Sequence, residues 1–329
     1  MRFLNRTTIE RAITMREAVE IVRSAFQALS TGEANVPVRL SVAEPQHDGV
    51  TLFMPGYLPG SDALAIKIVS VHGRNPARQL PRINALVILI DPATGVPLAA
   101  LEGGFLTALR TGAGSGVATD LLANPHAETA AIFGAGTQAR TQLLAVAAVR
   151  QLKRCWIYAP RSERAEQMIA EMQPHLPAVE LLAAASPALA VRDADVICAA
   201  TNSHTPVFDG RDLKPGAHVN AVGSYQPHVQ EIDAVTLQRA SKIVVDQRAA
   251  ALDEAGDLLI PLSQGVITLA DIYGEIGEIA AGLKPGRERT EDITYFKSVG
   301  NAVQDVAVAH AIYRKALQEN LGVEFDLLA

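Results

Sequence analysis

The sequence predicts an α/β protein: a doubly wound parallel sheet, preceded by a strand-rich α+β segment and followed by a helical tail. Two observations carry this. Between about residues 120 and 280, short apolar runs alternate with helical or turn segments, the order expected of parallel strands and their crossover helices. Before residue 100 the apolar runs are cut by Pro and Gly turns instead, with one clear helix among them. At about 150 residues per domain, the 329 residues make roughly two domains.

In chain order, Thr14 stands three residues before Glu17, the capping-box spacing. It opens a helix with Val19, Val22, Phe26 and Leu29 on one face, and Gly32 ends that helix. VPVRLSV, GVTLFMP, ALAIKIVSV and INALVILID read as strands, with VPLAALEG as a fifth. The stretch from Phe105 to Leu122 reads as a helix of small residues. Its glycines lower helix propensity, so it is either a tightly packed core helix or one with a ligand nearby. TAAIF, CWIYAP, VELLAA, DVICAA, HVNAVG and KIVVDQ are the strands of the parallel sheet, and SERAEQMIAEM is an amphipathic helix among them. ITLADIYGEIGEIAAG reads as helix, KPGRER as a polar loop, and AVQDVAVAHAIYRKALQENLG as a long helix with one apolar side.

With 49% hydrophobic and 19% charged residues, the composition is that of a folded, well-packed chain. A net charge of −6 provides no broad basic field, so nucleic acid is not an expected partner. No apolar window is long enough for a membrane span, and the start MRFLNRTTIERAIT has no signal-peptide run. Cys155 and Cys198 cannot form a disulfide framework, which points to a reducing, cytoplasmic setting. There is no G-x-S-x-G elbow, no HExxH and no CxxC. The eight histidines are scattered without metal-ligand spacing, so no metal is expected. His204 and His228 follow sheet strands and read as surface or packing residues.

Gly134-Ala135-Gly136-Thr137-Gln138-Ala139 has the form G-x-G-x-x-A, directly after TAAIF and directly opening a helix. Gly134 permits the tight turn, Gly136 lets a pyrophosphate approach the backbone, and Ala139 allows close helix–strand contact. Thr137 and Gln138 then stand at the helix N-terminus, where amides and dipole favour an anion. The same pattern fits an ordinary βα turn, a mononucleotide site or an adenosylmethionine site. A dinucleotide site commonly has a carboxylate at the end of the next strand, to hold the ribose. That strand ends here in Tyr158-Ala159-Pro160-Arg161-Ser162. Arg161 and Ser162, with Arg164 assisting, suit a 2′-phosphate, so NADP(H) is preferred and NAD(H) is the alternative. The plainer reading of Arg161 is a solvated side chain.

In the first hundred residues Lys67 interrupts the apolar strand ALAIKIVSV. It points either to an exposed face or into a cleft, where it would meet a carboxylate or carry a shifted pKa. Arg39 lies in the similar strand VPVRLSV. Arg110 lies in an otherwise uncharged stretch, where a buried guanidinium needs a partner: an anionic substrate or an internal Asp.

Taken together, VPVR, GVTLFMP, AIKIVSVHGRNPARQLP, NALVILIDPATGVPLA, LTALRTGAGSGVAT, IFGAGTQAR, VNAVGSYQPHVQEID and SVGNAVQDVAVA resemble the ornithine cyclodeaminase/mu-crystallin family over almost the whole chain. The resemblance implies a Rossmann domain over residues 119–303. It also implies a discontinuous domain, residues 1–118 with 304–329, for substrate binding and homodimerisation. It implies a nicotinamide coenzyme and a small imino or amino acid substrate. Arg39 and Arg110 would clamp the substrate carboxylate, Lys67 would be the catalytic proton donor or imine polariser, and Asn84 would line the same pocket. Thr111, with Gly112, would sit near the coenzyme phosphates; Ala200, Thr201 and Asn202 would flank its ribose; Val222, Gly223 and Ser224 would flank the nicotinamide.

One position departs from the cyclodeaminases in the family. They carry an Asp just after the glycine of the AVG-like segment, where this chain has Tyr225. A phenol, with a reference pKa near ~10, is a poor base at neutral pH. The expected activity is therefore NAD(P)H-dependent reduction of a cyclic 2-imino acid: Δ1-pyrroline-2-carboxylate to L-proline, or Δ1-piperideine-2-carboxylate to L-pipecolate. Ornithine cyclodeamination and alanine or other amino-acid dehydrogenation are the alternatives within the family. A non-catalytic NADP-binding protein of mu-crystallin type is the alternative of another class.

Overall fold

The computed structural model describes residues 1–327 and divides into two compact units: residues 1–110 with the chain from 301 onward, and residues 111–300. The first unit begins with β1 (Arg2–Leu4), α1 (Arg6–Ala12) and α2 (Met15–Ser30). The Thr14–Glu17 capping box closes reciprocally at the start of α2, and its Val19, Val22 and Phe26 are buried. There follow β2 (Leu40–Glu44), β3 (Gly49–Leu58), β4 (Ala63–His72), β5 (Ile83–Ile90) and β6 (Pro97–Glu102). α3 (Gly103–Leu122) is the long small-residue helix, and the division between the units falls within it. Glu102 caps its start: the two carboxylate oxygens accept from Gly104 N at 2.6 Å and Phe105 N at 2.8 Å.

The second unit comprises β7 (Thr129–Phe133), α4 (Thr137–Val149), β8 (Arg154–Tyr158), α5 (Ser162–Met172), β9 (Glu180–Ala183), α6 (Pro187–Val191), β10 (Val196–Ala199) and β11 (His218–Ala221). It continues through α7 (Ala234–Arg239), β12 (Ala240–Val245), α8 (Arg248–Glu254), α9 (Gly256–Ser263), β13 (Ile272–Glu275), α10 (Ile276–Ala280) and β14 (Ile293–Lys297). The chain then returns to the first unit as α11 (Ala302–Gln318) and β15 (Val323–Glu324).

In the second unit an all-parallel sheet runs β13-β12-β14-β11-β10-β7-β8-β9. Its strand order reverses between β7 and β10, the switch point at which doubly wound sheets bind ligands. Near-continuous apolar strands such as VICA and TAAIF fit a sheet covered on both faces, and two buried clusters, around Phe133 and around Ile132, fill those layers. In the first unit the order is β15-β1-β6-β5-β4-β3-β2, antiparallel except for β1–β6. One face of that sheet receives α11: Met54, Val69 and Ala302 form a buried cluster, and a Cβ on Gly56 would come within 3.0 Å of Val306. No helix among the described residues is long and apolar enough to cross a membrane.

Three expectations need correction. VPVRLSV is strand only from Leu40, where pairing with Phe53 of β3 begins, so Arg39 precedes the strand. ITLADIYGEIGEIAAG is helical only over a 3-10 turn, Leu269–Asp271, and over Ile276–Ala280; between them Ile272–Glu275 pairs with β12 as the edge strand β13. ITYFK, which the periodicity did not single out, is β14, buried along its whole length between β11 and β12.

Candidate functional site

Each unit holds a group of polar residues with its own chemistry. In the first, β4 places Lys67 on the α11 side of the sheet, opposite Met54 and Val87. Its Nζ is buried and lies 2.7 Å from Asp305 Oδ2 on α11. Asp305 Oδ1 accepts from Arg110 Nε at 3.0 Å, and Arg110 Nη1 donates to Gln304 Oε1 at 2.9 Å. Gln304 Nε2 in turn donates to the Arg110 carbonyl at 3.3 Å. Arg110 Nη2 has no hydrogen-bond partner among the described residues. The guanidinium is thus held on two nitrogens and keeps one donor edge for an incoming acceptor.

Burial is the largest influence on Lys67 and lowers its pKa. The positive charge of Arg110 lowers it further, the Asp305 carboxylate raises it, and Arg39 lowers it again, leaving the ammonium at about 7. Arg39, half-buried, is therefore within electrostatic reach of Lys67. Asp305 and the Arg110 guanidinium stand beside this lysine and the Arg39 charge reaches it, so the arrangement favours an anion near an amine that gives up or takes a proton near neutrality.

Asn84 is not brought to this group. In the β4–β5 register it faces Ser70, whereas Lys67 faces Val87, and the two-residue strand period puts Asn84 on the other side of the sheet. There it is exposed, donates to Pro81 O at 3.2 Å and lines a surface cavity with His47, Ser70 and His72. Arg110 does have an internal aspartate as partner, Asp305, and this contact leaves Nη2 for a second one.

In the second unit the glycine turn follows β7. Gly134 has φ +105°, its N–H donates to Tyr158 O at 2.9 Å, and a Cβ there would lie 2.6 Å from Ala200 O. Gly136 is the N-cap of α4 with no side-chain cap, and a Cβ on it would meet nothing within 4 Å. The first-turn amides, Thr137 and Gln138 among them, therefore face open space with the helix dipole behind them. Ala139 is fully buried against the sheet, and Arg140 Nη1 ties down the turn by donating to Ala135 O (2.7 Å) and Gly136 O (3.0 Å). This cradle fits a diphosphate. Thr111 is buried on α3. Beside it, a Cβ on Gly112 would sit 2.6 Å from Thr141 O, so this glycine serves the close approach of α3 to α4. Arg161 and Ser162 are exposed at the start of α5, beyond the end of β8.

The loops after β10 and β11 carry Ala200, Thr201 and Asn202, and Val222, Gly223 and Ser224. Ser224 Oγ donates to Val229 O at 2.5 Å. A buried carboxylate, Glu231, accepts from Thr201 N at 2.6 Å and from Gly223 N at 2.8 Å. Sequence reasoning missed Glu231, Gln304 and Asp305. Each lay inside a quoted segment, QEID or NAVQDVA, with no local pattern to mark it.

A model of the ornithine cyclodeaminase/mu-crystallin family matches residues 1–320. The chain belongs to this family. Within it, the chain is 40% identical over 316 residues to a Delta(1)-pyrroline-2-carboxylate reductase of Bacillus cereus, covering 95% of this chain and 96% of that protein. The structure of the Thermococcus litoralis Delta(1)-pyrroline-2-carboxylate reductase in complex with NADH and L-proline superposes with a TM-score of 0.95 at 41% identity, covering 99% of this chain and all of that one, 100%. An archaeal alanine dehydrogenase dimer with bound NAD follows at a TM-score of 0.92 and 35% identity, covering 100% of this chain and 99% of that one.

Proposed function

We propose that this chain reduces a small cyclic 2-imino acid, Δ1-pyrroline-2-carboxylate to L-proline or the six-membered analogue to L-pipecolate. The observation that carries the proposal is the buried Lys67, 2.7 Å from Asp305, with Arg110 fixed by the same carboxylate and Arg39 within electrostatic reach. The two reductase relatives support the substrate class. A bound reduced nicotinamide supplies hydride to the imine carbon. The free edge of Arg110, with Arg39, receives the substrate carboxylate, because a guanidinium edge matches a carboxylate in geometry and charge. Lys67 holds a proton at Nζ near its neutral point and gives it to the imine nitrogen, which makes the carbon the better electrophile. Asp305 orients both cations and keeps Lys67 from losing its proton at still lower pH. Asn84 has no role in this reading.

The coenzyme is held by the glycine turn and the loops after β10 and β11. The relatives solved with NADH and with NAD favour NAD(H). NADP(H) rests only on the end of β8, where Arg161 is exposed and no carboxylate stands. Side-by-side kcat/KM with NADH and NADPH separates the two. The sheet face away from α11 carries Leu40, Phe53, Ile66, Ile68 and Leu86, all exposed or half-buried, and is suited to a second copy of the chain. We take the protein as a homodimer through this face, measurable as mass in solution for wild type and Ile68→Glu.

The relative named an alanine dehydrogenase supports a second reading, oxidation of a small amino acid in the same site. One panel decides: pyrroline-2-carboxylate, piperideine-2-carboxylate, and pyruvate with ammonia, each with NADH and NADPH, and alanine and ornithine with NAD. The cyclic imines are expected to give the highest kcat/KM. Higher kcat/KM with pyruvate and ammonia would move the assignment to amino-acid dehydrogenation. Ammonia release from ornithine would mean cyclodeamination, and no turnover on any of them a binding role.

A further inference from the structure

Glu231 is fully buried and belongs to no helix or strand, yet its carboxylate joins two loops. Oε1 accepts from the amide of Thr201, two residues beyond β10, and Oε2 from the amide of Gly223, two residues beyond β11. The approach is so close that a Cβ on Gly223 would lie 2.4 Å from Glu231 Oε2. The contact continues across the switch point, because the carbonyl of Ala200, next to Thr201, is the atom that a Cβ on Gly134 would strike at 2.6 Å. On its other side Glu231 is itself held. Its amide donates to Asp257 Oδ1 at 2.6 Å, as does that of Ile232 at 3.0 Å, and Asp257 Oδ2 pairs with the buried Lys297 Nζ at 2.6 Å. Lys297 ends β14, directly beside Ala221 of β11.

Two buried carboxylates close together are costly to ionise, and an apolar filler would be the cheaper way to close this space. A residue retained there is explained by what it holds. We propose that Glu231 is the positioning residue of the coenzyme site: through Thr201 and Gly223 it fixes the β10 and β11 loops relative to each other and to the glycine turn, with Asp257 and Lys297 as its anchor. This rests on the reading that those loops receive the nicotinamide coenzyme. Both oxygens accept from amides, so the ionised form suits the clamp, and a proton on either oxygen would set donor against donor. Burial and the neighbouring Asp257 push Glu231 up to about 7, against the pull of Thr201 and Lys297, so the clamp weakens as pH falls through neutrality. The other ionisable group facing it, Tyr295 on β14, is held far above its ordinary range by burial and by the same two carboxylates, and stays neutral throughout.

The test uses the full-length protein and NADH, titrated by fluorescence between pH 5.5 and 8.5, with Glu231→Gln and Glu231→Asp beside wild type. Glu231→Gln keeps one acceptor but turns an amide donor on the second loop. We expect its Kd and KM for NADH to rise about tenfold, the loss of one charge-assisted hydrogen bond. Its KM for the imino acid at saturating NADH should stay within about twofold, because Arg39, Lys67 and Arg110 are untouched. Wild-type affinity should fall below about pH 7, while Glu231→Gln should show no such dependence. A pH dependence that survives in Glu231→Gln does not come from Glu231 and overturns the proposal. Glu231→Asp, charged but shorter, should recover part of the affinity and the pH dependence. Equal NADH affinity in wild type and Glu231→Gln also overturns it. If Glu231→Gln does not fold, wild type alone decides, since a flat Kd from pH 5.5 to 8.5 rejects the clamp. Amide hydrogen exchange at Thr201 and Gly223 without coenzyme is read in parallel. Faster exchange in the variants supports the clamp and unchanged exchange rejects it, whereas failure of wild type to bind any nicotinamide coenzyme counts against the function proposed above.

Discussion

In the first unit the working charges are side chains on β4, α3 and α11, tied by a single carboxylate, Asp305. In the second they are backbone amides: the first turn of α4, and the two amides that Glu231 gathers after β10 and β11. Side-chain charges can carry protons and change state, as Lys67 does near pH 7. Amides cannot, so they suit a permanently charged diphosphate and leave proton chemistry to the other unit. On this division, a substitution in the first unit should fall on turnover and its pH dependence, and one in the second on coenzyme affinity.

The largest effect that sharpens the contrast is expected from Lys67→Met. Methionine fills the same apolar space without a proton, and loss of a general acid costs roughly 10²–10⁴-fold in rate. NADH affinity should stay unchanged. In wild type, imine reduction needs the protonated amine and should decline as pH rises through about 7, whereas amino-acid oxidation needs the neutral amine and should rise over the same interval. Lys67→Met should lose this limb in both directions. Stability gives a second reading. Above about pH 7 the unfolded chain holds a proton at Lys67 that the folded chain has released, so wild-type stability should increase with pH from there to the ordinary lysine range, and the variant should not show that increase. A rate loss below tenfold in steady-state assays would remove Lys67 from the chemistry.

Arg110→Ala comes next. It removes the donor edge that the proposed function assigns to the substrate carboxylate, and leaves Asp305 to Lys67 alone. Truncating one member of a buried charged set costs about 2–5 kcal/mol, so kcat/KM for the imino acid should fall by ~10²–10³-fold with NADH binding intact. Kinetics at saturating NADH check this, and wild-type kcat/KM in the variant would end the clamp assignment.

The second unit has a smaller but cleaner test. Gly134 has a positive φ and abuts Ala200 O, so Gly134→Ala strains the free protein and any binding defect would be ambiguous. Gly136 has neither constraint. Gly136→Ala should melt within about 2 °C of wild type yet bind NADH roughly tenfold more weakly, because on the function proposed above its methyl group would stand where the diphosphate meets the α4 amides. Calorimetry on the free protein and fluorescence titration with NADH separate the two quantities. Unchanged affinity would move the diphosphate away from this turn.

The same contrast explains what could be read in the sequence. The amide-based site is written locally: strand, glycines and helix follow one another within TAAIFGAGTQA, and strand alternation exposes the parallel sheet. Lys67 and Arg110 were visible as charges in apolar runs, but their common partner Asp305 lies 195 residues from Arg110, on a helix whose period marks a face and not a partner. Glu231 was hidden for the opposite reason. It sits in a loop with no periodicity, and the glycine at 223, which its carboxylate and the Thr201 carbonyl both crowd, does not by itself point to it. β14 was overlooked because Thr294 and Lys297 give ITYFK a polar look, although both are buried and bonded within the fold. Asn84 shows the limit of transferring a role by likeness: one step of strand register decides which face a side chain occupies.

The finest test leaves the architecture intact and moves only a titration. Asp305 is the carboxylate that supports the Lys67 ammonium, and it opposes burial, Arg110 and Arg39, all of which disfavour it. Asp305→Asn keeps an acceptor for Arg110 Nε but removes the negative charge. With that support gone, the ammonium should lose its proton at lower pH, and removing an opposite charge at this distance shifts a pKa by about one unit or more. The limb on imine reduction should therefore move from about pH 7 toward acid, so that the variant falls furthest behind wild type near neutrality and recovers toward pH 5.5. A structural role for Asp305, limited to holding Arg110 in place, would instead lower kcat/KM equally at every pH. The pH profile of single-turnover reduction at saturating NADH separates the two, and a limb unmoved from pH 7 would show that Lys67 does not set it.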